Sequence, residues 1–204
     1  ALIMDFPGNP ARGKVVDAMV SHLDLFPTLC ELTGLPKPER LEGQSLLPLF
    51  KGEVDQIRDE LYAEVTYHAS YEPQRAIRTR DYKFIKRFAD PPRIVPVNID
   101  GSPSKHHIFK SGIYQFPLYA VQLYDLNLDP LERVNVADDP EYASVRAALE
   151  QRLDQWMRRT DDPLLDGDVP LPPGAFQDAA GSYNPDEGSM EYGEPNGQAG
   201  ASFS

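Results

Sequence analysis

The order of apolar and polar positions divides the chain into four stretches. Ala1–Phe6 is an apolar run that stops at the turn-rich stretch Pro7–Lys14. It reads as a buried strand. A strand needs neighbours, so the expectation is that this chain is the C-terminal piece of a longer protein whose preceding residues supply them. Phe26, Leu29, Cys30 and Thr33 then recur at i, i+3, i+4 and i+7 and predict a helix. Pro27 suits its first turn, and Gly34 with Pro36 ends it. Pro48 keeps the apolar segment Gln44–Gly52 from forming a long regular helix.

From Leu61 the rhythm becomes that of strands. Leu61–Thr66 reads as one, Arg75–Thr79 and Tyr82–Arg87 as a hairpin about Arg80 and Asp81, and Val121–Leu126 as the last. Between them Ala89–Pro117 is rich in Pro, Gly and Ser and reads as a long irregular loop, of the kind that is functional or disordered. Asp139-Pro140 is a helix start, an Asp cap followed by Pro. The predicted helix runs to about Arg159, with Tyr142, Val145, Leu149, Leu153 and Trp156 as its apolar stripe. Together these predict a small antiparallel sheet of four strands with one long helix on one face. After Thr160 large apolar residues become scarce, and the segment is expected to be disordered or to lie extended along the body.

Charge sharpens this division. The net charge of -12 over 204 residues is concentrated at the end, since Asp161–Ser204 holds no Lys or Arg and nine acids. Without them 23 acids face 20 bases. A near-neutral body with an acidic tail does not suit nucleic acid, which calls for a basic excess. No apolar run reaches the roughly 18 residues of a membrane span. No secretory leader is visible, so the expectation is a soluble chain, cytoplasmic slightly favoured over exported. A single cysteine, Cys30, excludes an internal disulfide and a multi-cysteine zinc site. Adjacent His106 and His107 lack a suitably spaced third ligand, so no metal ligand is assigned.

The chemistry-bearing types gather in "LYAEVTYHASYEPQRAIRTRDYKFIKR", Leu61–Arg87, which sets an acid, an imidazole and a guanidinium within twelve residues. Either these are solvated turn residues or they line a pocket for an anion. Arg75 could equally form a surface ion pair with Glu72, and Tyr67, Tyr71 and Tyr82 read as packing more readily than as a platform for sugar rings.

In this order, the segments resemble the C-terminal part of the sulfatase family. Asp24, Pro27 and Thr28, followed by Gly43, Ser45 and Leu46, are similar to the end of its large α/β core. "YAEVTYHASYEPQRAIRTRDYKFIKR" and "QLYDLNLDPLERVNVADDPEY" are similar to its small C-terminal subdomain. Glu64-Val65-Thr66, Tyr67-His68 and "RTDDP" point to the N-sulfoglucosamine sulfohydrolase, heparan sulfamidase-like branch. The resemblance implies an alkaline phosphatase-like α/β fold: residues 1–55 finishing the large core, 56–160 forming the small subdomain, and 161–204 an acidic Pro/Gly-rich tail. It also implies a formylglycine nucleophile and Ca2+, both expected in a preceding catalytic half. Cys30 stands in "LCELTG" without the Arg that the nucleophile motif requires, so no catalytic residue is assigned here. The implied substrate is a sulfated sugar or glycosaminoglycan. Its implied contacts are Arg75 to sulfonate or carboxylate, His68 and Glu64 to hydroxyls, amine or leaving group, and Lys105 from the long loop. Two other readings stay open: a non-catalytic remnant or interaction domain, and part of a phosphate-cleaving relative in the alkaline phosphatase superfamily.

Overall fold

The computed structural model describes residues 2–185 and 190–192. The chain divides into two compact units, Ala1–Leu61 with Arg78–Arg80, and Tyr62–Ile77 with Asp81–Ser204.

The first unit is built around α1 (Leu25–Thr33) and α2 (Leu47–Lys51). A 3-10 turn at His22–Asp24 leads into α1, and its start is a capping box. The Ser21 hydroxyl accepts from the Leu23 N–H, and the Ser21 N–H donates to the Asp24 carboxylate at 2.7 Å. Asp24 is fully buried, and also accepts from the Gln44 N–H at 2.9 Å and from the Arg58 guanidinium. The Thr28 hydroxyl donates to the Asp24 carbonyl at 2.5 Å and accepts from the Leu46 N–H at 2.9 Å. The Asp24–Thr28 and Gly43–Leu46 motifs are therefore two halves of one clip. Gly43 is required by close approach, because a β-carbon there would lie 1.9 Å from the Leu23 carbonyl oxygen. Cys30 is buried on the inner face of α1, whereas Phe26 and Leu29, expected to share its face, are about half exposed.

Residues 2–6 form no strand. Their apolar pattern predicts one, but a lone extended segment gains nothing from the pattern without a ladder partner. Leu2 and Ile3 are exposed instead.

The second unit is a four-stranded sheet in the order β1 (Leu61–Tyr67), β2 (Tyr71–Arg78), β3 (Tyr82–Arg87), β4 (Val121–Asp125). β3 and β4 are antiparallel, with Phe84 opposite Leu123. Ile77, Phe84 and Leu123 present one face of the sheet, and Leu149, Leu153 and Met157 of α4 (Ala143–Arg159) pack onto it. The i, i+4, i+8 spacing of those three residues makes one stripe down the helix. Each such side chain, fully buried, contributes about 1.5–3 kcal/mol of transfer free energy. Trp156 stacks on Tyr62 with ring centroids 4.8 Å apart.

The segment expected to be an irregular loop holds a further helix, α3 (Pro103–Lys110). Ser102 caps it by accepting from the Lys105 N–H, and Pro103 takes the first position. α3 carries little apolar stripe, which is why periodicity does not reveal it. Residues 161–185 and 190–192 belong to the second unit. Leu164 joins the core from a 3-10 turn at Pro163–Leu165. β5 (Phe176–Asp178) pairs with β6 (Met190–Tyr192), and the Asp178 N–H donates to the Ala69 carbonyl. Of the acids assigned to the tail, Asp186, Glu187 and Glu194 lie outside the described residues. Among the described residues no helix is long and apolar enough to cross a membrane.

Candidate functional site

In the second unit β1 carries Glu64 and Thr66 on the same side as Arg75 of β2, as alternation in adjacent strands requires. Arg75 is 2% exposed. Its Nε donates to Asp162 Oδ2 at 2.5 Å and Nη2 to Asp162 Oδ1 at 3.0 Å, a two-pronged pair with a carboxylate that is itself 4% exposed. Nη1 donates to the Val65 and Gln74 carbonyls, and Nη2 also to the Thr66 hydroxyl. All five N–H groups of the guanidinium are thus engaged within the chain. Arg75 therefore has no donor to offer a sulfonate, and its partner is Asp162 rather than Glu72. Glu72 pairs instead with Arg87 at 3.3 Å and accepts from Asn98.

Burial alone would raise the Asp162 carboxyl, but the Arg75 hydrogen bonds, the Leu164 N–H and the Arg75 charge outweigh it and hold the group below the ordinary aspartate value. The pair ties the chain after α4 to the middle of the sheet.

Lys105 is also 2% exposed. Its ammonium donates to the Ile99 carbonyl at 2.7 Å and to the Tyr183 carbonyl, and lies 4.6 Å from the centre of the Tyr183 ring. It holds the α3 segment to residues near the end of the described chain. The expectation that it hangs over a pocket is corrected on the same ground as for Arg75: its N–H groups already serve internal carbonyls.

Glu64 and His68 remain at the surface. The Glu64 side chain is 62% exposed, with its carboxylate 3.7 Å from Arg75 Nε. His68 is exposed in the short turn from β1 to β2, where its N–H donates to the Ser70 carbonyl at 3.2 Å. The structure thus brings Glu64 and Arg75 together, sets His68 four residues along the same strand edge, and puts Lys105 to other use.

Around that turn Tyr67 and Tyr71 have ring centroids 4.8 Å apart. The Tyr67 hydroxyl donates to the Val169 carbonyl at 2.7 Å. The Tyr71 hydroxyl donates to Asp168 at 3.2 Å and accepts from the Val169 N–H at 3.1 Å. Burial, reinforced by the Asp168 carboxylate and only partly opposed by the Val169 N–H, pushes the Tyr71 hydroxyl above the ordinary tyrosine value. It is therefore a standing donor at neutral pH. Asp162 lies in the "RTDDP" motif, but neither it nor Asp168 carries a signal of its partner, because those partners lie far upstream.

The described residues do not fit a metal or a nucleophilic cysteine. Among them no group of three His, Cys, Asp or Glu side chains is placed to hold a metal ion, and Cys30 is buried within α1.

A family model for the C-terminal region of N-sulphoglucosamine sulphohydrolase matches residues 1–107. The chain is 31% identical over 162 residues to a Delta 4,5-hexuronate-2-O-sulfatase of Bacteroides thetaiotaomicron, covering 76% of this chain and 28% of that protein. It is 29% identical over 193 residues to the N-sulphoglucosamine sulphohydrolase of Homo sapiens, covering 80% and 37%. Among solved structures, a 2-O GAG sulfatase matches with a TM-score of 0.52 at 27% identity, covering 70% of this chain and 26% of that one. The chain thus spans about a third of the length of the curated relatives it matches.

Proposed function

Because the chain belongs to the sulfatase family, in the region of the N-sulphoglucosamine sulphohydrolase C-terminal part, we propose that it forms the substrate-recognition portion of a hydrolase for sulfate esters or N-sulfates of sugars. The observation that carries this reading is the family match over residues 1–107, which contains Glu64, His68, Arg75 and Lys105. The fold agrees: a four-stranded sheet carrying one long helix, matched in a solved sulfatase.

In this reading Glu64 accepts hydrogen bonds from sugar hydroxyls or a protonated amine. Arg75 is a positioning residue. Fixed by Asp162 behind it, it places a positive charge 3.7 Å from the Glu64 carboxylate without donating to it, which leaves both oxygens of Glu64 to accept from a ligand. The His68 imidazole, exposed in the turn, is placed to hydrogen-bond a hydroxyl or a leaving group. Attack at sulfur is assigned to residues outside this sequence, since Cys30 lacks the Arg of the nucleophile motif and, among the described residues, no group of three His, Cys, Asp or Glu side chains is placed to hold calcium. The relatives, about three times as long, have room for that machinery.

Calorimetric titration of the chain with glucosamine N-sulfate, a 2-O-sulfated hexuronate and their unsulfated forms tests the reading. A sulfated sugar is expected to bind, and Glu64→Gln to weaken it about tenfold, as the loss of one charge-assisted hydrogen bond requires. Equal affinity for sulfated and unsulfated forms, or none for either, would overturn it. Sulfate release by the chain alone would overturn the placement of the chemistry elsewhere.

A further inference from the structure

A cleft of about 510 Å³ opens beside the β1–β2 turn, lined by Tyr67, Ser70, Tyr71, Arg93, Asp168 and Gln177 with the small side chains of Ala179–Gly181. Its size falls within the range of small-molecule sites. The chemistry of its lining is specific. Tyr67 and Tyr71 offer ring surface of the kind that covers the apolar face of a sugar. Asp168 gives one carboxylate oxygen to the Tyr71 hydroxyl, which leaves the other to accept from a ligand hydroxyl. The Gln177 side chain accepts from the Tyr71 N–H, which fixes the edge of the turn.

Several cations of this unit are taken up by the fold. Arg75 and Lys105 are buried and fully engaged, Arg87 is paired with Glu72, and Lys83 and Lys86 are paired with Glu132 and Glu150. Arg93 is exposed, and among the described residues its guanidinium makes no hydrogen bond or ion pair. It comes from the segment between β3 and α3, held nearby by Asn98, whose side chain accepts from the Ser70 N–H at 2.8 Å and donates to the Ser70 carbonyl at 3.1 Å.

One cation, one carboxylate and two tyrosines do not suit a polyanion, which would meet the Asp168 charge as well as the acidic balance of the chain. They do suit a ring bearing one anionic group and several hydroxyls. We propose that this cleft is an outlying subsite for a second sugar ring of an oligosaccharide, one carrying a sulfate or carboxylate that Arg93 pairs with. This deepens the proposed function and rests on it. His68 stands between Tyr67 and Ser70, both of which line the cleft, so one oligosaccharide could run from the Glu64–His68 edge into it.

The test uses the chain and Arg93→Ala, with four probes: glucosamine N-sulfate alone, and disaccharides in which its neighbour is a neutral hexose, a hexuronate or an O-sulfated hexose. The chain is expected to bind one of the two anionic disaccharides about tenfold more tightly than the neutral one. Whichever it is identifies the anion. Arg93→Ala removes that preference and leaves the monosaccharide affinity within twofold. Arg93→Glu, which keeps a charged exposed side chain, inverts the preference. If the monosaccharide binds but the anionic preference is absent or persists in Arg93→Ala, the subsite is refuted while the proposed function stands. If no probe binds, the proposed function itself fails.

Discussion

Asp162→Ala is the sharpest test of how this unit is held together. The substitution removes two of the five contacts of a guanidinium that is 2% exposed, and leaves the positive charge in place. Each lost charge-assisted bond contributes about 1.5–3 kcal/mol. The three remaining contacts are neutral oxygens, and Glu64 at 3.7 Å is too exposed to replace the lost carboxylate. Breaking a buried pair by removing one member costs about 3–5 kcal/mol. Asp162 also caps the turn that follows α4, accepting from the Leu164 N–H at 3.0 Å, which adds about 1 kcal/mol. The expected loss is therefore about 4 kcal/mol, or a fall of about 2 M in the urea midpoint at a slope of about 2 kcal/mol per M. Trp156, the one tryptophan, stacks on Tyr62 in the same unit and reports the transition by fluorescence. Replacing both partners by apolar residues, as in Arg75→Met with Asp162→Leu, should recover most of the loss. The pH dependence adds a second check. The folded Asp162 carboxyl lies below its unfolded value, so its contribution is complete above the unfolded value, about 3.9, and disappears as pH falls through the folded one. The gap between wild type and Asp162→Ala should hold from pH 7 to 5 and close below about pH 4. A loss under about 1 kcal/mol, or a gap that closes as pH rises from 5 to 7, would refute a buried, ionised pair.

Gly43→Ala should destabilise the first unit by about 3 kcal/mol or more, since the added carbon meets backbone rather than a movable side chain; faster hydrogen exchange at the Gln44 and Leu46 amides would show it, and unchanged exchange would contradict the clip. Lys105→Met leaves the Ile99 and Tyr183 carbonyls without their charged donor and should cost about 2 kcal/mol; limited proteolysis should then cut the segment after Thr160 sooner than in wild type, and an identical digestion pattern would refute the anchoring role.

What could be read from the sequence was what periodicity and caps encode. The hairpin about Arg80 and Asp81, the strand at Val121 and the helix after Asp139-Pro140 are local patterns, and the structure places each within a few residues. α3 escaped because its buried member is a lysine and its apolar stripe is weak, although Ser102-Pro103 was a legible start. The strand expected at Ala1–Phe6 is not formed by residues 2–6 for the opposite reason: the pattern is present, but among the described residues no strand pairs with it. The Arg75–Asp162 pair was out of reach because its members are 87 positions apart. No spacing rule reports which distant acid a buried guanidinium will choose.

Residue type proposed four polar side chains for recognition, and counting donors sorts them. A cation recognises a ligand only with N–H groups that the fold has not already used. Arg75 and Lys105 are the cations a sequence reader selects, because they lie within the densest cluster of chemistry and the longest loop. They are also the ones the fold consumes, since a charge buried to 2% exposure persists only when its donors are satisfied internally. Their service leaves Glu64 and His68 exposed, and Arg93 exposed beside two tyrosines with no hydrogen bond or ion pair among the described residues. In the proposed reading, recognition in this unit falls to the residues that contribute least to its stability. Substitutions at Arg93 should therefore alter specificity with the fold intact, and substitutions at Arg75 should lose the fold before specificity can be measured.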